Sequence, residues 1–109
     1  MRFGLDENII EQIKAVFAYF PEIEEAVLYG SRAKGNFKNG SDIDLTLKGE
    51  SISYNTFNNI SLSLDELMLP YLIDLSIYTQ IDNPALIDHI KRVGICFYRK
   101  IDISTEKNF

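Results

Sequence analysis

Residues 26–47 read AVLYGSRAKGNFKNGSDIDLTL, and their pattern is the most informative in the chain about its architecture. Its apolar start, residues 26–29, predicts a short buried strand that ends in a turn at Gly30-Ser31. Residues 32–40 predict one helical turn and then a loop, because Gly and Asn dominate their second part. From Asp42 to Leu47, polar and apolar residues alternate, which predicts a second strand with one buried face.

The flanking sequence predicts three longer helices. The first begins at an N-cap, Asp6, and ends before Pro21, with apolar residues at helical spacing between them. Apolar residues three and four positions apart predict a second helix over about residues 54–69. A third helix begins at Pro84, since proline suits the first position of a helix.

Alternation over residues 71–78 and an apolar run at residues 95–98 predict two further strands. The order is then helix, strand, turn, strand, helix, strand, helix, strand. It predicts an α/β (α+β) fold with a small mixed sheet and helices packed on one face. The 109 residues contain no repeat or linker, so we expect one domain over residues 1–100 and a polar C-terminal tail over 101–109.

The composition of the chain argues against several classes of function. The chain has 16 acidic and 11 basic residues and a net charge of −5, which argues against direct DNA or RNA binding through many phosphates. No apolar run approaches the roughly 18 residues of a membrane span, and the N-terminus does not resemble a signal peptide. Cys96 is the single cysteine, so no intrachain disulfide can form, and we expect a cytoplasmic protein.

Three aspartates lie within predicted strands. Asp42 and Asp44 are two residues apart and share one strand face, and Asp74 lies in the middle of a later strand. Burying several carboxylates together is costly unless a cation compensates their charge. Oxygen ligands favour Mg²⁺, with Mn²⁺ as a substitute, over zinc.

The turn at Gly30-Ser31 has the residues needed to bind a phosphate group. Glycine permits a close backbone approach, and a serine hydroxyl and nearby N–H groups can donate to phosphate oxygens. A phosphate-binding turn beside metal-binding carboxylates is what phosphoryl or nucleotidyl transfer needs.

These residues resemble a known family. Gly30-Ser31, ten residues, then Asp42-Ile43-Asp44 matches the G-S-x10-D-x-D signature of the DNA polymerase β-like nucleotidyltransferase superfamily, and Asp74 stands where its third carboxylate falls. The short chain and the stretch GSRAKGNFKNGSDIDL most resemble the minimal nucleotidyltransferases, the MntA-type antitoxins of HEPN/MNT toxin–antitoxin systems. The resemblance implies the palm-like fold of polymerase β.

The resemblance also implies roles for the aspartates. Asp42, Asp44 and Asp74 would be the catalytic residues and would bind two Mg²⁺ ions, with Asp74 also helping to deprotonate the attacking hydroxyl group.

For the nucleotide, the resemblance implies a second set of residues. Ser31 and the backbone at Gly30 would hold the β- and γ-phosphates of ATP, with Arg32 and Lys34 as further nucleotide-binding residues. The family pattern often has Arg at the position of Lys34. Lysine keeps the charge but lacks the bidentate geometry of Arg.

The implied activity is transfer of AMP from ATP to a tyrosine of a cognate HEPN-domain ribonuclease toxin, with which the chain would form a hetero-oligomer. Two alternatives remain open at this point. The chain could neutralise the toxin by stoichiometric binding without catalysis, or it could modify a small molecule of the aminoglycoside type.

Two further residues carry weaker expectations. His89 has no second His or Cys at ligand spacing, so we expect it to have a packing or surface role. Cys96 lies in an apolar predicted strand, so we expect it in the core.

Overall fold

The computed structural model describes residues 1–101 and contains the predicted elements in the predicted order. These are α1 (Glu7–Tyr19), β1 (Glu25–Tyr29), α2 (Gly30–Lys34), β2 (Ile43–Lys48), α3 (Tyr54–Asp65), β3 (Ile73–Ile77), a 3₁₀ turn (Tyr78–Gln80), α4 (Pro84–Val93) and β4 (Ile95–Arg99). Residues 102–109 of the predicted tail lie outside the described residues.

Local chemistry sets the ends of the helices. The Asp6 carboxylate accepts a 2.8 Å hydrogen bond from the Asn8 N–H, which confirms the predicted N-cap of α1, and Ser53 caps α3 in the same way. α3 ends before the predicted position, since Met68 takes a left-handed backbone conformation with φ 56°. None of the helices within residues 1–101 is long and apolar enough to cross a lipid bilayer.

The four strands form one mixed sheet in the order β3-β2-β1-β4. β1 pairs antiparallel with both β2 and β4, whereas β2 and β3 run parallel and α3 forms the crossover between them. In this register Tyr29 lies opposite Asp44, and Asp44 lies opposite Asp74. The pairing thus aligns one residue from each of three strands in a row across the sheet.

Helices cover both faces of the sheet. The main core lies between one face and the helices α1 and α3, and its fully buried members include Phe17, Leu28, Leu45 and Ile60. A smaller cluster on the opposite face joins Val27 and Tyr29 of β1 to Ile90 of α4. The prediction that the helices pack on one face holds for α1 and α3 but not for α4, which packs on the other face because its apolar stripe meets the alternate residues of β1.

Cys96 does not lie in the core. It belongs to β4, an edge strand that pairs only with β1 among the described strands, and its side chain is exposed. The expectation of a buried cysteine is wrong because an apolar run at a sheet edge is covered only where a helix reaches it. Phe97, next in sequence, is buried in the main core instead.

Candidate active site

The parallel pairing of β2 and β3 brings two of the predicted aspartates together. Asp44 and Asp74 occupy directly paired positions on neighbouring strands, so their side chains leave the same face of the sheet. Asp42 lies just before β2 and is exposed, two residues from Asp44 and on the same side by alternation. The three carboxylates predicted from the sequence therefore lie at one edge of one sheet face.

The charges of these carboxylates act on one another. The pKa of Asp44 is raised above its ordinary value, first by partial burial and then by the negative charges of Asp74 and Asp42, while the positive charge of Arg32 opposes the rise. Within residues 1–101, no three His, Cys, Asp or Glu side chains already form a cluster that could hold a metal ion. The aspartates are thus electrostatically coupled neighbours whose side chains would have to turn toward a shared cation.

Gly30 joins the turn to the carboxylates. Its φ is 74°, and a Cβ added there would overlap the Asp44 side-chain oxygen Oδ2. Any other residue would have both a strained backbone and a steric clash at this point. The predicted phosphate-binding turn and the central carboxylate are therefore in direct contact, which only glycine allows.

Ser31 and Lys34 follow Gly30 in α2 and remain available to a ligand. Ser31 is half-buried and Lys34 is exposed. Neither side chain has a hydrogen-bond or ion-pair partner among residues 1–101.

Arg32 has a different environment from the one expected of a nucleotide-binding residue. Its side chain is 2% exposed and donates two hydrogen bonds to the Ser41 carbonyl, at 3.0 and 2.8 Å, and one to the Phe3 carbonyl at 2.9 Å. The guanidinium also lies 5.3 Å from the ring centre of Phe37 and 5.0 Å from that of Tyr71. The guanidinium N–H groups that a phosphate would need therefore donate to backbone carbonyls instead, and aromatic rings lie beside the guanidinium.

This environment gives Arg32 a structural role. Its two hydrogen bonds to Ser41 hold the residue immediately before Asp42. The prediction that Arg32 contacts nucleotide did not anticipate this burial, because sequence spacing cannot indicate which backbone carbonyls a long side chain will meet.

His89 is the residue of this region that the sequence analysis did not place in the site. Its Nε2 accepts a 3.1 Å hydrogen bond from the Gly30 N–H, and its ring packs edge-on against Tyr29. A signal was present in the sequence, since His89 falls three residues after Leu86 and four before Val93, on the apolar stripe of α4. A polar side chain on an apolar helix face needs a hydrogen-bond partner, and here that partner is the backbone N–H of Gly30.

Tyr29 completes the row across the sheet. It is buried, and its phenol has a pKa raised by that burial, with the charges of Asp74 and Asp44 adding to the effect. The phenol therefore keeps its proton at neutral pH. Beside it, Ser76 Oγ donates a 2.9 Å hydrogen bond to Thr46 Oγ1, so the strand positions behind the carboxylates are polar but satisfied.

With the turn and the carboxylates placed, comparison with known proteins identifies the family. Residues 11–102 match the family model described as polymerase beta, nucleotidyltransferase. The chain belongs to the polymerase beta nucleotidyltransferase family. No curated protein matches it.

Solved structures share the nucleotidyltransferase fold at low sequence identity. A crystal structure of a toxin–antitoxin with AMP-PNP aligns with a TM-score of 0.64 and 18% identity, covering 94% of this chain and 80% of that chain. A tri-AMPylated Shewanella oneidensis HEPN toxin in complex with MNT antitoxin aligns with a TM-score of 0.63 and 13% identity, covering 94% of this chain and 79% of that chain. A protein from Sulfolobus solfataricus described as a putative nucleotidyltransferase aligns with a TM-score of 0.54 and 20% identity, covering 85% of this chain and 78% of that chain.

Proposed function

We propose that this chain is a metal-dependent adenylyltransferase that acts as an antitoxin, transferring AMP from ATP to a tyrosine of a cognate HEPN-domain ribonuclease. The observation that carries the proposal is the contact between Gly30 and Asp44, with Asp74 aligned beside Asp44. It puts a turn able to bind phosphate against paired carboxylates, which is the arrangement that nucleotidyl transfer requires.

The donor set fits divalent cations. Asp42, Asp44 and Asp74 offer only oxygen ligands, which suit Mg²⁺ or Mn²⁺. The raised pKa of Asp44, caused by burial and by the two neighbouring carboxylates, is the mark of a site in which negative charge lacks compensation. When bound, two such ions would neutralise charge on the triphosphate and favour the nucleophilic form of the acceptor oxygen.

The residues of the chain then divide the remaining tasks. Ser31 and the backbone N–H groups that follow Gly30 bind the β- and γ-phosphates, since the Gly30 N–H itself donates to His89, and Lys34 adds positive charge at the exposed side. Asp74 accepts the proton of the acceptor hydroxyl. The acceptor oxygen forms a bond to the α-phosphorus while the bond from the α-phosphorus to the β-bridging oxygen breaks, so pyrophosphate leaves and AMP remains on the acceptor.

The partner is proposed from the structural relatives. Two of the similar structures are toxin–antitoxin assemblies, one with AMP-PNP and one with an AMPylated HEPN toxin. The single cysteine agrees with a reducing compartment, and we place the reaction in the cytoplasm.

The test is transfer of labelled AMP to the HEPN-domain protein expected to be encoded beside this chain. Purified protein with ATP and Mg²⁺ should label that partner, and Asp44→Asn should reduce the rate by at least about 100-fold, because metal-held charge stabilisation is worth several kcal/mol. Asp88→Asn is the matched control, since Asp88 is an exposed α4 carboxylate paired with Arg92. Equal labelling by wild type and Asp44→Asn would refute the catalytic assignment.

The same variants separate catalysis from binding. If the antitoxin acts by modification, a chain carrying both Asp42→Asn and Asp44→Asn should fail to neutralise the ribonuclease while still binding it. Full neutralisation by that double variant would instead favour stoichiometric inhibition. Transfer of AMP to an aminoglycoside, with none to the protein partner, would favour a small-molecule acceptor.

A further inference from the structure

We propose that His89 is a positioning residue, which holds the Gly30 turn in place against Asp44 and thereby sets the affinity for the nucleoside triphosphate. The inference rests on the proposed function insofar as it concerns nucleotide binding. Its structural part, that His89 restrains the turn, can be measured without any nucleotide.

The contact joins two distant parts of the chain. His89 Nε2 accepts the Gly30 N–H at 3.1 Å across 59 positions of sequence, and so connects α4 to the first residue of α2. An imidazole nitrogen accepts a hydrogen bond only when it carries no proton, so the neutral ring has its hydrogen on Nδ1. The Tyr29 ring meets the His89 ring edge-on, with centroids 6.2 Å apart and planes at 79°, which restricts how the imidazole can rotate.

The turn needs such a restraint because of its glycine. Gly30 has a positive φ, and a glycine can adopt more backbone conformations than any other residue. The glycine by itself therefore does not fix the direction in which the chain turns. Gly30 is confined from one side by Asp44, which leaves no room for a Cβ, and from another by the hydrogen bond to His89. Together the two contacts fix where Ser31 begins relative to the carboxylates.

The hydrogen bond also decides which donors remain for phosphate. His89 occupies the Gly30 N–H, so the nucleotide must use groups that follow Gly30, beginning with Ser31. His89 therefore acts on the nucleotide through the turn and is not expected to touch it.

The position of α4 does not depend on this one hydrogen bond. Ile90, the next residue, is 4% exposed and packs in the cluster with Val27 and Tyr29. Substituting His89 should therefore loosen the turn while the helix stays in place, and this makes the proposal testable with folded protein.

The first experiment compares His89→Phe, which keeps an aromatic ring but cannot accept a hydrogen bond, with His89→Gln, whose Oε1 can. We expect His89→Phe to raise the KM for ATP about three- to tenfold with a smaller change in kcat, which is the net effect of losing one hydrogen bond. The KM of His89→Gln for ATP should lie within about twofold of the wild-type value. Asp88→Asn, on the exposed side of the same helix, should leave KM unchanged.

The second experiment measures hydrogen exchange of the Gly30 amide by NMR, without nucleotide. Exchange should be slow in wild type, faster in His89→Phe and slow again in His89→Gln. Unchanged protection in His89→Phe, or a KM for His89→Gln as high as that for His89→Phe, would overturn the positioning role. If wild type neither binds ATP nor transfers AMP, the proposed function fails, whereas the exchange result still decides what His89 does.

Discussion

The two faces of β2 have opposite chemistry. On one face Ile43, Leu45 and Leu47 are completely buried under α1 and α3. On the other face Asp44 lies beside Asp74, partly open to solvent and under mutual repulsion. Alternation along a single six-residue strand thus separates the residues that stabilise the fold from those proposed to bind metal.

This difference shows that neighbouring residues of β2 should respond to substitution in opposite ways. Changes on the covered face should cost stability, because they remove close packing. Changes at the carboxylates should cost activity and slightly increase stability, because they remove repulsion between like charges.

The largest expected effect on stability is at Leu45, which is completely buried. Leu45→Ala should lower the free energy of unfolding by about 2–5 kcal/mol, through lost burial and the cavity left behind. Leu62→Ala, at a leucine of α3 that is 59% exposed, is the control and should change it by less than about 0.5 kcal/mol. Urea unfolding measures both, and similar losses for the two variants would contradict the assignment of the core.

A smaller effect is expected at Arg32, which lies between the turn and the loop. Arg32→Lys keeps the charge but loses the planar set of donors that binds the Ser41 and Phe3 carbonyls, and should cost about 1–3 kcal/mol in urea unfolding. Lys34→Met should change stability by less than about 0.5 kcal/mol and instead raise the KM for ATP. If Arg32→Lys instead raised the KM for ATP and Lys34→Met lowered the stability, Arg32 and not Lys34 would be the residue that contacts the nucleotide.

The smallest expected effect is a gain in stability from Asp44→Asn. Burial and the neighbouring carboxylates raise the pKa of Asp44, so the folded state holds this proton more tightly than the unfolded chain. Ionisation, as pH rises through the ordinary pKa of aspartate, therefore destabilises the fold. At pH 7 the variant should be more stable by less than about 1 kcal/mol, since water and salt screen a partly exposed charge.

The pH dependence checks the sign of this effect. The difference between wild type and Asp44→Asn, measured by urea unfolding, should shrink below the ordinary pKa of aspartate, where both side chains are neutral. Mg²⁺ without nucleotide should raise the melting temperature of wild type more than that of the variant. A variant less stable than wild type at pH 7 would show that Asp44 is stabilised by partners in the fold.

Much of the fold followed from local patterns. The helix start at Asp6 was predicted because N-capping depends on neighbouring residues alone, and the alternation of β2 placed Asp42 and Asp44 on the side opposite its apolar residues. The spacing between Gly30-Ser31 and the aspartates was enough to indicate the family, because it is a property of the sequence alone. The end of α3 was predicted too late, because helix ends depend on backbone conformations such as that of Met68.

Contacts between distant segments were not predictable in this way. Arg32 was expected at the nucleotide but is buried against backbone carbonyls, and Cys96 was expected in the core but lies exposed at a sheet edge. His89 was expected to pack or to face solvent, and it binds the Gly30 amide as well as packing on Tyr29.

The amino-acid order alone showed which residues alternate, where the chain turns, and that three aspartates and a glycine turn follow the family pattern. The folded structure was needed to show that Asp74 aligns with Asp44, that α4 covers the second face, and that His89 reaches the turn. This is because periodicity sets the direction of a side chain only relative to its own element. Which distant element it meets depends on strand register and helix packing, which are properties of the whole chain.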